Sequence, residues 1–239
     1  MFLVSDAWKA AFPEAHAGVL VMQEVSNPSH HAALEERKVM LEKQLRERYA
    51  GQDRAQIGKL PVLQAYEAHY RRFKKTYHVQ LQLESIVFKG KSIPSVAALV
   101  ESMFMAEVSS LLLTAGHDLD ALHLPVTLDV TRGGERYILL RGQEQEVKEG
   151  DMMISDQVGI ISNILYGPDQ RTQINAQTRN AIFTVYAPAG IDEPAIVEHL
   201  QEIQQNVLLV APRAKTGMLK VFGAYGVSQQ EIVHQAIHE

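Results

Sequence analysis

Residues 167–185 read GPDQRTQINAQTRNAIFTV, a dense polar run set directly against an apolar one. Asp169, Arg171, Thr172, Thr178, Arg179 and Asn180 crowd the entrance to what looks like a buried strand, where a plain connecting turn could use fewer polar residues. Such side chains can orient a carbonyl, an amine and a water, and an arginine fork suits a phosphate or a carboxylate. The competing reading is a turn whose Asp, Thr and Asn cap their own backbone while Arg171 and Arg179 stay solvated or pair with Asp169. If the apolar run is a strand, alternation sends Arg179, Ala181 and Phe183 one way and Asn180, Ile182 and Thr184 the other, so Asn180 and Thr184 can share a pocket face. The run as a whole is expected to border a pocket for a small molecule or an RNA end.

A second polar cluster, HDLDAL, brings His117, Asp118 and Asp120 within a few residues, a set that fits a general base or a metal. Equally, Asp118 and Asp120 can cap a short helix over Leu119 and Leu122. A third, YRRFKK, places Arg71, Arg72, Lys74 and Lys75 around Phe73, next to Tyr70. On RNA the charges would meet phosphates while Tyr70 or Phe73 stacks a base, worth about 1–3 kcal/mol. Otherwise the segment is a solvated helix face with one buried aromatic. His30 and His31 are adjacent, so on a helix they diverge and read as surface. No zinc-ligand spacing occurs, and neither a metal nor a cofactor is expected.

The elements that must position these groups fall into two halves. Phe2 to Val4, a helical turn at Trp8 to Phe12 and a strand over 18–25 open the chain. Ser29 as a cap, early acidic and late basic residues, and Gly51 mark a helix over 31–49. Helices follow over 62–75, with Leu63, Tyr66 and Tyr70 on one side, then in VQLQLESIVFKG, then over 95–113. From Pro125 the period becomes two, with short runs separated by RGGE, KEGD and GPDQ turns, RGGE (132–135) reading as a hairpin turn. DEPAIVEHLQEIQQNVLLVA starts a helix with an acid and Pro194, GMLKVFGAYG gives a last strand, and SQQEIVHQAIHE a closing helix. No repeat or long linker divides residues 1–239, so the expectation is one α+β domain.

Composition narrows the function classes. The 239 residues carry 28 acidic and 23 basic side chains, a formal charge of −5, so any nucleic-acid contact must use a local patch. With no cysteine, thiolate nucleophiles, thiolate metal sites and disulfides are excluded, in keeping with a cytoplasmic protein. Glu101 and Glu107 interrupt the longest apolar window, so no membrane partner is expected; the first residues do not read as an export signal.

In order and spacing, the aromatic, basic 62–75 helix and then KGKSIPSVAALV, AGHDLDAL, GGERYILLRG, DMMISDQVGI and RTQINAQTRNAIFTV resemble the B3/B4 domain, the tRNA-binding and editing module of the phenylalanyl-tRNA synthetase beta subunit, in free-standing form. The resemblance covers about residues 55–190. It implies an α+β fold in which a largely helical N-terminal part packs on a mixed or antiparallel β-sandwich-like core. It also implies a stand-alone domain, not a complete tRNA ligase, that holds the acylated 3′ end of tRNA and hydrolyses a mischarged ester without a metal. A pocket that hydrogen-bonds a hydroxyl discriminates strongly between two amino acids differing by that group. Ala115 stands at the family's histidine position, His117 at its aromatic one and Thr184 at its glutamate, while LYGPDQRT replaces a glycine-rich turn. The alternatives are a non-catalytic RNA-binding module and a pocket for a free amino-acid-like metabolite; DNA is not an expected partner. The expected pocket residues are His117, Asp118, Arg171, Thr172, Thr178, Arg179, Asn180 and Thr184, with the 115–120 loop and the 167–185 turn facing each other across a cavity.

Overall fold

In the computed structural model, which describes residues 1–229, the aliphatic run near the N-terminus becomes the middle of a sheet rather than an opening flank. Phe2–Val4 forms β1, Asp6–Ala11 α1 and His16–Gln23 β2. Five helices follow: α2 Ala32–Arg48, α3 Arg54–Ile57, α4 Pro61–Arg71, α5 His78–Val87 and α6 Ala98–Ser110. Strand β3, Leu113–Asp118, leads through a short 3-10 turn, Leu119–Ala121, into β4 Val126–Val130, β5 Arg136–Ile138, β6 Glu144–Glu146, β7 Met152–Ser155, β8 Ile160–Asn163, β9 Gly167–Pro168 and β10 Asn180–Ala187. Helix α7, Glu193–Val210, and strands β11 Lys215–Gly223 and β12 Gly226–Gln229 complete the described chain.

The fold is α+β, with one sheet ordered β1-β4-β7-β8-β9 and another ordered β12-β11-β2-β10-β3. Only the β1–β4 pair of the first sheet is parallel; the second is antiparallel throughout. Strand β2 lies between β10 and β11, so residues outside the 55–190 stretch supply the middle of the sheet that carries β3 and β10. Gly18 explains how α7 can lie on that sheet: a Cβ there would stand 2.5 Å from Ile196 Cγ2. Val19, Ile182 and Phe222 on this sheet pack with Phe2 and Val4 of the other, closing the seam between the two with apolar side chains.

Local chemistry accounts for some of the helix ends. Asp192 accepts from Ala195 N and Pro194 sits in the first turn of α7, as its start signal requires. Basic Arg46 and Arg48 occupy the last turn of α2, and Gly51 takes φ +74° just beyond it. Ser29 is not the cap expected of it; the chain enters α2 at His31 without a side-chain cap. The RGGE turn is a second correction. The strands it joins do not pair with each other, because β4 pairs with β7 while β5 and β6 form a separate hairpin. The proposed closing helix begins at residues that form β12, and the rest of it lies outside the described residues.

Tyr66 of α4 ties the helical part to the sheet. Its hydroxyl donates to Tyr186 O at 2.5 Å and accepts from Leu113 N at 2.8 Å, so one buried group serves both β10 and β3. The ring stacks on Tyr77, with centroids 4.1 Å apart. Tyr66→Phe removes both bonds and strands two buried backbone groups, at about 1–3 kcal/mol each. Urea unfolding is expected to show a loss on the order of 2–6 kcal/mol.

Candidate functional site

Strands β3 and β10 are neighbours, with Ala181 opposite Asp118, Ile182 opposite His117 and Thr184 opposite Ala115. The 169–178 segment folds back over the end of β3, where Asp118 N donates to Thr172 O at 2.8 Å. Gly116 permits this close approach, since a Cβ there would meet Ile174 Cδ1 at 2.9 Å. The two polar segments therefore meet, but directly: where an open cavity was expected, side chains bond to one another. HDLD is also not a loop, because His117 and Asp118 end a strand whose residues are all buried.

Thr172 Oγ1 donates to Asp169 Oδ1 and lies 2.7 Å from His117 Nδ1. A hydroxyl has one proton, and an ionised carboxylate only accepts, so the histidine must be the donor in the second bond. That assigns the proton to Nδ1 and leaves Nε2 as a bare lone pair, buried without a partner. Burial drives the His117 pKa down to about 3, aided by the nearby Arg171 charge, so the ring is neutral at ordinary pH.

Thr178 Oγ1 donates to Asp118 Oδ2 at 2.7 Å, while Asp118 Oδ1 accepts from Asp120 N at 3.0 Å, the capping role its sequence context allowed. Asn180 Nδ2 reaches both carboxylate oxygens of Asp120 at 2.9 Å. Arg171 pairs with Asp156 at 2.8 Å and donates to Ala121 O at 3.1 Å. Arg179 is exposed and bonds only nearby backbone carbonyls, and Thr184 donates to Ala115 O at 3.2 Å. Asn180 and Thr184 thus share a face but not a pocket, because Thr184 is sealed between the sheets.

An open cleft of about 330 Å³ lies to one side of this network. Asp169, Gln170 and Arg171 form one wall, and Ile138, Val158 and Ile160 contribute apolar surface, with Arg136 and Tyr137 completing it. The β5–β6 hairpin is pinned there by Gln170 N donating to Ile138 O at 2.9 Å. Asp169 is buried enough to raise its carboxyl pKa, the Thr172 bonds and Arg171 opposing that shift only in part. Tyr137, Asp156 and Gln170 escaped the sequence reading. Asp156 accepts from the backbone N–H groups of Val158 and Gly159, a turn signature that DQVG does carry.

The basic segment needs correction at its aromatics. Tyr70 is buried with its hydroxyl on Ile164 O at 2.6 Å, and Phe73 is buried as well, so neither ring is placed to stack a base. Arg71 pairs with Glu67 at 2.7 Å. Arg72 lies over the rings of Phe12 and Phe73. Lys74 is exposed, and Lys75 Nζ lies 5.3 Å from the centroid of Tyr166. Among the described residues no group of three or more His, Asp or Glu could hold a metal ion, and no helix is long and apolar enough to cross a membrane.

Three internal groups make stability pH-dependent in a defined direction. His199 bridges the hydroxyls of Ser110 and Thr114 at 2.7 and 2.6 Å, and burial lowers its pKa to about 3, as for His117. Unfolding frees both rings to protonate below 6.5, so the stability of burying them neutral is present above that pH and is lost as pH falls towards 3. Buried Glu107 behaves oppositely. Its pKa rises to about 8 from 4.5, so its contribution is present below 4.5 and is lost as pH rises to about 8. From these three groups the unfolding free energy should peak near pH 6.5 and fall by about 1.4 kcal/mol per pH unit on either side. Urea titrations from pH 5 to pH 8 check it.

No curated protein sequence matches the chain. Among solved structures, an N-terminal fragment of the phenylalanyl-tRNA synthetase beta-subunit from Pyrococcus horikoshii is similar at 11% identity and a TM-score of 0.46, over 90% of this chain. This chain spans half the length of that fragment. The profile of the B3/4 domain matches residues 64–204, from α4 into α7 and more than half of the sequence, and the chain belongs to the B3/4-domain family.

Proposed function

We propose that this B3/4-family chain recognises the acylated 3′ end of tRNA, with the amino acid in the cleft beside the 169–171 turn and phosphates on the basic segment after α4. What carries the reading is the continuity of the two surfaces. Lys75 sits on Tyr166, and Tyr166 packs on the Tyr137 and Ile160 cluster that lines the cleft. Lys148 Nζ donates to Phe73 O at 2.8 Å, bringing a further basic residue to the same ridge. This supplies the local patch that a chain of net charge −5 needs. Within the cleft, Ile138, Val158 and Ile160 suit an amino-acid side chain. Asp169, whose Oδ1 is taken by Thr172 while its Oδ2 has only Arg171 Nε at 3.7 Å, suits the α-ammonium group. The volume lies at the lower end of the usual ~300–1,000 Å³ for ligand sites. Such a ligand would place the protein in the cytoplasm, alongside translation.

Hydrolysis of the ester is the second reading, favoured by the unpartnered Nε2 lone pair of His117 two side chains behind Asp169. Recognition ranks first because a general base at neutral pH needs a pKa near 7, and His117 is far below it. One assay addresses both, using tRNA charged with labelled tyrosine, phenylalanine or another amino acid. Tighter binding of charged than of uncharged tRNA, weakening with salt as counterions return to the phosphates and with Lys74→Ala plus Lys75→Ala, is the expected result. Equal affinity for both forms, or none, would contradict recognition. Release of label faster than in buffer would promote the hydrolytic reading.

A further inference from the structure

A second cavity, of about 250 Å³, opens where α1 runs into β2, against α4 and the 188–189 turn. Phe12, Ala15, Ala65, Met152 and Pro188 give it apolar walls. Three polar residues also line it: His69, Arg72 and Glu14. His69 is 5% exposed, and its Nε2 lies 2.8 Å from Asp151 Oδ1. Asp151 is fully buried, and its other oxygen takes Leu165 N at 3.4 Å. An ionised carboxylate accepts only, so the ring proton sits on Nε2 and the Nδ1 lone pair is left without a protein donor among the described residues. Arg72 is exposed and has no carboxylate partner among the described residues, while Phe12 and Phe73 hold its guanidinium carbon 5.7 and 5.5 Å from their ring centroids. A cation kept in place without a counterion, a ring nitrogen of a mostly buried histidine without a donor and apolar walls between them form an incomplete set.

The geometry points to a second ligand site here, separate from the cleft, for a free 2-amino acid with an apolar side chain. The Arg72 fork takes the carboxylate in two parallel bonds. Glu14 on the same rim repels a polyanion and suits an ammonium group, whose protons also match the His69 lone pair. The apolar walls take the side chain, and the volume limits it to a compact one. Because this ligand is free and its pocket is not the one proposed for the tRNA end, the site stands whether or not tRNA binds.

Calorimetric titration of the whole chain with L-valine, L-leucine and L-phenylalanine tests it, with isoamylamine as the probe that keeps leucine's apolar body and amine but lacks the carboxylate. At least one amino acid should bind saturably, and isoamylamine at least tenfold more weakly than leucine. Arg72→Gln should weaken binding tenfold or more, and Ala68→Leu should fill the mouth and abolish it. Both positions are exposed on or beside α4, so thermal unfolding of Ala68→Leu should match the parent and Arg72→Gln should stay folded, losing only its contacts to the Phe12 and Phe73 rings. Asp169→Asn should leave this binding unchanged, which separates it from the cleft. Absence of saturable binding at millimolar concentration for all three amino acids, or binding that survives both Arg72→Gln and Ala68→Leu, would overturn the assignment.

Discussion

Replacing Asp169 by asparagine is expected to weaken binding of the aminoacyl end by about 10- to 100-fold while leaving the protein folded. Charge-assisted hydrogen bonds contribute about 1.5–3 kcal/mol, and each 1.4 kcal/mol is a factor of ten in affinity. Oδ1 already holds Thr172 N at 3.1 Å and the Thr172 hydroxyl, and an asparagine oxygen keeps both. What the amide lacks is the charge, directed through Oδ2, which is 3.7 Å from Arg171 Nε. Arg171 retains Asp156 and Ala121 O as partners, so its position should hold. Because burial disfavours the charged form of Asp169, the variant should melt at the parental temperature or above it. A binding titration with matched thermal melts separates this from collapse of the site: a parallel loss of stability would assign Asp169 a structural role.

The largest stability effect is expected at Lys38 of α2. Its side chain is 3% exposed, and its ammonium group lies 2.7 Å from Glu35, 2.8 Å from Glu101 and 2.8 Å from Ser95 Oγ. Glu101 is equally buried and also accepts from Val96 N at 2.7 Å. Truncation to alanine leaves the Glu101 carboxylate in a low-dielectric site with no counterion, a loss of about 3–5 kcal/mol. The pair joins α2 to α6, which runs directly into β3 and so towards His117. Urea unfolding of Lys38→Ala against the double variant Lys38→Met, Glu101→Leu distinguishes an uncompensated charge from lost packing. The double variant should recover most of the loss but not all, since the bond to Val96 N goes with the glutamate.

Local chemistry made the site's parts legible in the sequence and left its closure hidden. Asp192 with Pro194, and the basic last turn of α2 before Gly51, are signals complete within one turn of chain, and the helices follow them. The polar turn could likewise be read as capping its own backbone, as Asp169 does for Thr172 N and Asn175 for Gln177 N. HDLD looked like a loop because a buried polar strand end is stable only with partners from elsewhere. Thr172 and Thr178 supply them from 55 and 60 residues away. Tyr70 was placed on the packing face of its helix and also offered to RNA; its hydroxyl bond to Ile164 O, 94 residues on, decides for packing. Period-two runs alone could not show that β4 bypasses β5 to pair with β7, or that β2 is central, because strand order is set by long-range pairing.

The most direct measurement uses an amide-linked tyrosyl or phenylalanyl analogue of a tRNA 3′-terminal adenosine, which cannot be hydrolysed, titrated into the isotopically labelled chain while backbone resonances are followed. Saturable shifts centred on Ile138, Val158 to Ile160 and Asp169 to Arg171 are the predicted result. No shifts at saturating analogue, or shifts confined to residues remote from that cleft, would contradict the account.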